Sequence, residues 1–167
     1  MKDILKPHAF ISHLVPGFSL LLFIFLSHCN WTLHTVKGYF ADMTATQGAA
    51  YGFIAIVISF LIGEICDSFR DGIVEWLIEK IRKKKEIKWS FFFEAPEDEI
   101  NKLQEHFYTW HVFNFNSALS LSIGSVLAYV YGAPLLLKIG MPIGAIILII
   151  NAFTLRKEIR ELIEKRP

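Results

Sequence analysis

Four nearly uncharged stretches, each close to the ~20 residues that cross a hydrocarbon core as a helix, govern what this chain can become. Leu14 to Trp31 reads LVPGFSLLLFIFLSHCNW without a formal charge, and Gly48 to Ile62 reads GAAYGFIAIVISFLI before Glu64 interrupts it. Val112 to Gly132 is charge-free, and Ile139 to Leu155 is apolar with Lys138 at its start. Lipid offers no partner to free backbone N–H and C=O groups, and no alternating strand pattern suggests a barrel, so the spans are expected to be helices. Composition agrees, because 20% charged residues fall below the ~25% of an ordinary soluble domain and 53% are hydrophobic. The expected fold class is an all-α integral membrane protein, one membrane domain over 1–167. Its four transmembrane helices form a bundle, with spans at about 14–33, 48–66, 111–132 and 136–155.

The net charge of +1 is uninformative until it is sorted by position. Of the 17 Lys and Arg, only Lys37 and Lys138 fall in the first and third connections; the other fifteen lie at the termini, in the middle connection or on its flanks. The positive-inside rule then places both termini in the cytoplasm, in a membrane expected to be the prokaryotic cytoplasmic one. A modest outer loop follows span one, and a tight outer turn forms around Gly132, Ala133 and Pro134. Span one is expected to stay as an anchor, because His28 stands where a signal-peptide cleavage site needs a small residue. Cys29 and Cys66 fall at opposite ends of their spans, too far apart for a disulfide, and read as small buried apolar residues.

Span two does not stop at the lipid boundary. Ile73, Val74, Leu77, Ile78 and Ile81 keep helical spacing, so one helix from Gly48 to Lys85 would reach about 57 Å, beyond the ~30 Å hydrocarbon core. Pro96 followed by Glu97, Asp98 and Glu99 signals a new helix start, and Ile100, Leu103, Phe107 and Trp110 line one face of it. Spans two and three are thus expected to extend into a cytoplasmic antiparallel hairpin over about 67–110, with a further cytoplasmic helix over 156–167. The hairpin tip joins Arg82, Lys83, Lys84, Lys85 and Lys88 to Trp89, Phe91, Phe92 and Phe93, a combination suited to anionic lipid or a protein partner. One short cluster is weak support for nucleic-acid binding, and none is expected.

The residues that invite a chemical reading are those that are costly where they sit. Glu64 is foremost, since a carboxylate toward the bilayer centre costs about 3 kcal/mol. At about 100° per residue, Asp67, Ser68, Asp71 and Glu75 share a face with Glu64, and Arg70 points away from it. On span three His111 and Asn114 form a narrow polar stripe at the same depth, and His13 of span one lies in the same inner half. Carboxylates from one helix and imidazoles from others are the donor set of a bundle-core metal site, so Glu64, Asp67, Asp71, His111, Asn114 and His13 form the candidate polar, ion or metal site. The competing expectation is structural: Asp71 and Glu75 as solvated surface, His13 as bundle glue, His111 as an interface residue. Val15-Pro16-Gly17 and Gly140-Met141-Pro142-Ile143-Gly144 mark kinks where small residues allow close helix contact.

Metalloprotease, Walker, nucleophile-elbow and Cys-x-x-Cys signatures are missing from the sequence. The leading expectation is an oligomeric scaffold, effector or pore-type component acting at the cytoplasmic side, with membrane lipids, copies of itself and a protein partner at the hairpin as its contacts. The alternative is a metal-dependent enzyme acting on a lipid or headgroup at the inner leaflet, with a divalent ion held by the carboxylates.

Overall fold

A computed structural model of the chain describes residues 7–75, Lys80, Pro96, Ile100, Asn101, Leu103 and residues 108–164. Within them α1 (Pro7–His28), α2 (Leu33–Ala41), α3 (Ala45–Phe69), α4 (Thr109–Val130) and α5 (Leu135–Glu164) follow in order. A π-helical turn, Arg70–Glu75, continues α3. No strand occurs among the described residues. Four stretches, Ile11–His28, Ala45–Gly72, Thr109–Val130 and Leu135–Glu161, are helical, long and apolar enough to cross a membrane. They are the four expected spans, each beginning one to three residues before the expected boundary.

Local chemistry explains the ends. Thr44 accepts from the Gln47 backbone N–H, and the Gln47 side chain accepts from the Thr44 N–H, a reciprocal capping box that starts α3 three residues before Gly48. At the end of α1, Trp31 N–H reaches the Leu26 carbonyl and Asn30 N–H the Ser27 carbonyl, with Asn30 at φ 49°. This is the paired C-terminal closure that uses one left-handed residue, and Asn is the usual substitute for glycine there. Trp31, at φ 58°, is left-handed as well, and the two together turn the chain back toward α1. α4 ends on Gly132 at φ +68°, with Ala133 N–H bonded to the Ala128 carbonyl and Pro134 following, which is the turn the sequence calls for.

The helices pack as a succession, with α1 against both α3 and α4, and α4 against α5. His13 faces Gly63 and Gly17 faces Ser59, so α1 and α3 run antiparallel. Ser12 meets Asn116 and Pro16 meets Ser120, so α1 and α4 run parallel. His111 meets Ala152 while Gly144 meets Leu121, so α4 and α5 are antiparallel. The start of α1, the ends of α3 and α5 and the start of α4 therefore lie at one end of the molecule. This is the charged end.

Half of the α4 span is buried against 17% of those of α3 and α5, which makes α4 a central helix and the other two flanks. The flanks carry exposed apolar side chains, Phe53, Leu61 and Ile65 on α3 and Ile143, Ile147 and Ile150 on α5, as lipid-facing helices do. At the opposite end Ala128, Ala133 and Met141 form a small core on which Phe23, Trp31, Leu121 and Leu137 pack.

Of the stem expected from Gly48 to Lys85, α3 passes at Phe69 into the π turn, Lys80 is α-helical, and the remaining residues to Lys85 lie outside the described residues. Further along the chain, Ile100 N–H donates to the Pro96 carbonyl at 3.1 Å, a helical bond at the expected helix start, and Leu103 is buried. The tip residues Arg82, Lys83, Lys84, Lys85, Lys88, Trp89, Phe91, Phe92 and Phe93 lie outside the described residues. The stretch expected as a cytoplasmic helix over 156–167 is helical to Glu164, as part of α5.

Candidate functional site

The polar end is built around a proline. Pro16 lies inside α1 and has no N–H, so the Ser12 carbonyl loses its helical donor. Asn116 of α4 supplies one in its place, its Nδ2 lying 3.4 Å from the Ser12 carbonyl oxygen. One turn further along α4, Ser120 Oγ donates to the Pro16 carbonyl at 2.8 Å. Asn116 Nδ2 also donates to Asp67 Oδ1 of α3 at 3.2 Å, so one fully buried amide ties three spans together. Its two N–H groups have one acceptor each. Cys66 is buried on α3.

Arg70 completes this cluster and corrects the expectation that it points away from the carboxylates. Its Nη1 lies 2.6 Å from Asp67 Oδ1, its Nη2 2.6 Å from Asp71 Oδ1, and its Nε donates to the same Asp71 oxygen at 2.9 Å. The angular count fails for two reasons: the long side chain reaches back one turn, and the backbone leaves α geometry at Arg70, where the π turn begins. Arg70 is only 2% exposed, and a guanidinium so enclosed requires charged partners. Asp67 thus serves Arg70 along α3 and Asn116 across to α4.

Glu64 stands apart. Its side chain is 49% exposed, and His13 Nδ1 lies 3.9 Å from its Oε1, an ion-pair distance beyond hydrogen bonding. His13 turns its ring edge toward Phe60, and its backbone is crowded by Gly63, where an added Cβ would meet the His13 carbonyl. Gly17 is matched in the same way to the Ser59 carbonyl, so α1 and α3 touch backbone to backbone through Gly17, Ser59 and Gly63.

His111 is committed elsewhere. Buried, it places Nδ1 2.9 Å from the Ala152 carbonyl of α5 and packs edge-on against Phe115, which in turn meets Phe153. Asn114 is buried on the same helix. Of the six candidate residues, then, Asp67 and Asp71 come together through Arg70, Glu64 pairs loosely with His13, and His111 faces the other flank. Among the described residues no three His, Cys, Asp or Glu gather closely enough to hold a metal ion.

Arg70, Asn116 and Ser120 are the organising residues, and none of them is among the six candidates. A signal exists for two of them: Asn116 and Ser120 are four apart, the same spacing as Ser12 and Pro16, whose carbonyls they serve. Comparison with protein families, with curated proteins and with solved structures finds no match to the chain.

Proposed function

We propose that this chain is a small polytopic membrane protein working as an assembled scaffold or effector component, its functional surface on the cytoplasmic side. The observation that carries this reading is how the polar groups at the charged end are used. Asn116 is spent on Ser12 and Asp67, and Arg70 on Asp67 and Asp71. Groups paired across helices in this way hold the spans in place. The positive-inside bias supports both termini in the cytoplasm of a prokaryotic cytoplasmic membrane.

Glu64 supports the assembly part of the proposal. It is half exposed on a flank helix beside the bare side chains of Leu61 and Ile65, and an uncovered carboxylate near lipid costs up to about 3 kcal/mol. A second copy packed on this flank would cover it. The basic and aromatic residues from Arg82 to Phe93 would offer the lipid or partner surface. The enzymatic alternative, a divalent ion on Glu64, Asp67 and Asp71, requires two carboxylates to leave the buried Arg70, which is costly.

Light scattering on the detergent-purified protein is expected to give one oligomer of fixed size, shifted toward monomer by Glu64→Gln. A monomer at every concentration would sink the scaffold reading. Elemental analysis of the same sample tests the alternative: stoichiometric metal that disappears in Asp67→Asn would select the enzyme.

A further inference from the structure

The short helix between the first two spans has no evident place in a bundle whose work is at the other end. α2 (Leu33–Ala41) buries none of its residues, and Leu33, Tyr39 and Phe40 are among the exposed large apolar side chains. At about 100° per residue, Leu33, Val36, Tyr39 and Phe40 occupy one arc, and His34, Thr35 and Gly38 occupy the other. Lys37 lies at the edge between them, where a long stem can follow the apolar surface while its ammonium reaches polar groups.

The position of α2 is set by the left-handed pair Asn30 and Trp31, which folds the chain back on itself. The rings of Tyr39 and Phe40 consequently reach Phe25 of α1, with centroids 5.8 and 6.1 Å away, and Tyr39 also meets His28. Phe25 is three residues inside the end of α1, about 4.5 Å of helix rise. The far end of α2 therefore lies beside the last turn of a membrane span and not above it. Leu22 and Ile24 on that same stretch of α1 are exposed apolar residues, so the apolar arc of α2 continues the lipid-facing belt of the spans.

We propose that α2 is an interfacial helix seated in the leaflet opposite the chain termini, with Leu33, Val36, Tyr39 and Phe40 toward the acyl chains and Lys37 at the headgroup phosphates. Tyrosine and lysine are the residue types that suit this boundary, the one for its amphipathic ring and the other for its reach. The inference rests on the four spans crossing a bilayer and is independent of any assembly or cytoplasmic activity. Its occupant is the lipid itself, because the arc is continuous with lipid-facing surface and carries the charge that phosphates attract.

The test uses the full chain in vesicles of phosphatidylcholine and phosphatidylglycerol. Cys29 and Cys66 are buried and stay unlabelled, so a single added cysteine at Leu33, His34, Thr35, Val36 or Gly38 can carry a bimane fluorophore. Brominated acyl chains are expected to quench labels at positions 33 and 36 at least threefold more than those at 34, 35 and 38. Aqueous iodide should give the reverse order. Iodide quenching all five alike would overturn the proposal, because the helix would then stand in water. Labels at 33 and 36 shielded from both quenchers would also overturn it, since protein and not lipid would cover the arc. Circular dichroism of each variant confirms that it folds, and Lys37→Cys, which removes no apolar side chain, gives an independent reading expected to respond to both quenchers.

Discussion

Asn116 donates a side-chain N–H to the Ser12 carbonyl, the group that Pro16 leaves without its helical partner. A proline inside a membrane helix exposes a backbone acceptor that lipid cannot satisfy, and a neighbouring helix has to answer it. Here the answer comes from a helix far away in sequence, and the same amide extends to Asp67 on a third. The defect in α1 is thereby the point at which three spans are joined.

Removing that amide should be costly in proportion to what it bonds. Asn116→Ala leaves the Ser12 carbonyl unpaired and takes from Asp67 one of its two partners, so it is expected to destabilise the protein by about 1–2 kcal/mol, since interhelical hydrogen bonds in membranes contribute about 0.6 kcal/mol on average and up to about 1.7. Pro16→Ala returns an N–H to the Ser12 carbonyl, so the cost of Asn116→Ala should fall by about half in that background. A double-mutant cycle by SDS unfolding measures this. Strictly additive effects would break the link between the proline and the amide.

The ion cluster predicts a steeper loss. Arg70→Met leaves Asp67, only 22% exposed, without its cation and should cost about 3 kcal/mol, because a largely buried carboxylate then has no opposite charge. Adding Asp67→Asn and Asp71→Asn to Arg70→Met should recover most of it. Asp71→Asn alone should cost no more than about 1 kcal/mol, since its side chain is more than half exposed and Arg70 keeps Asp67. Thermal unfolding in detergent orders the variants.

The close approach of α1 and α3 makes its glycines unequal to the others. Gly17→Ala and Gly63→Ala would each place a methyl against the backbone of the facing helix and should cost about 1–3 kcal/mol. Gly140→Ala meets nothing within 4 Å and should instead stabilise α5 by about 0.5–1 kcal/mol through helix propensity. If Gly63→Ala proved as stable as Gly140→Ala, the backbone contact would have to be abandoned.

Cys29 and Cys66 are free, buried and on different spans, one at the end of α1 away from the termini and one near the charged end of α3. Neither should react with a bulky maleimide until SDS unfolds the protein, and oxidants should not join them within one chain. Mass spectrometry before and after unfolding reads both outcomes, and rapid labelling of the folded protein would contradict their burial.

Much of the architecture is a property of segments. The four spans, the Gly132 turn and the helix start at Pro96 follow from hydropathy, capping and backbone preference, each contained in a few neighbouring residues. α3 starts early for an equally local reason, the Thr44–Gln47 capping box. The candidate site was legible only in its ingredients. Asp67 and Asp71 stand out by their charge, but a uniform 100° per residue points Arg70 away from their face, and such a count contains neither the reach of its side chain nor the π turn.

Four membrane-length helices with charge gathered at one end can be read from the chain residue by residue, because hydrophobicity and charge are properties of each side chain. Packing between helices is what turns His111 to α5 and His13 to α3, shares Asn116 among three spans, and folds α2 back along α1. The rotation of each helix about its own axis is set by the neighbours it packs against. Those neighbours are brought together by contacts as distant in sequence as Ser12 and Asn116, which no local pattern contains.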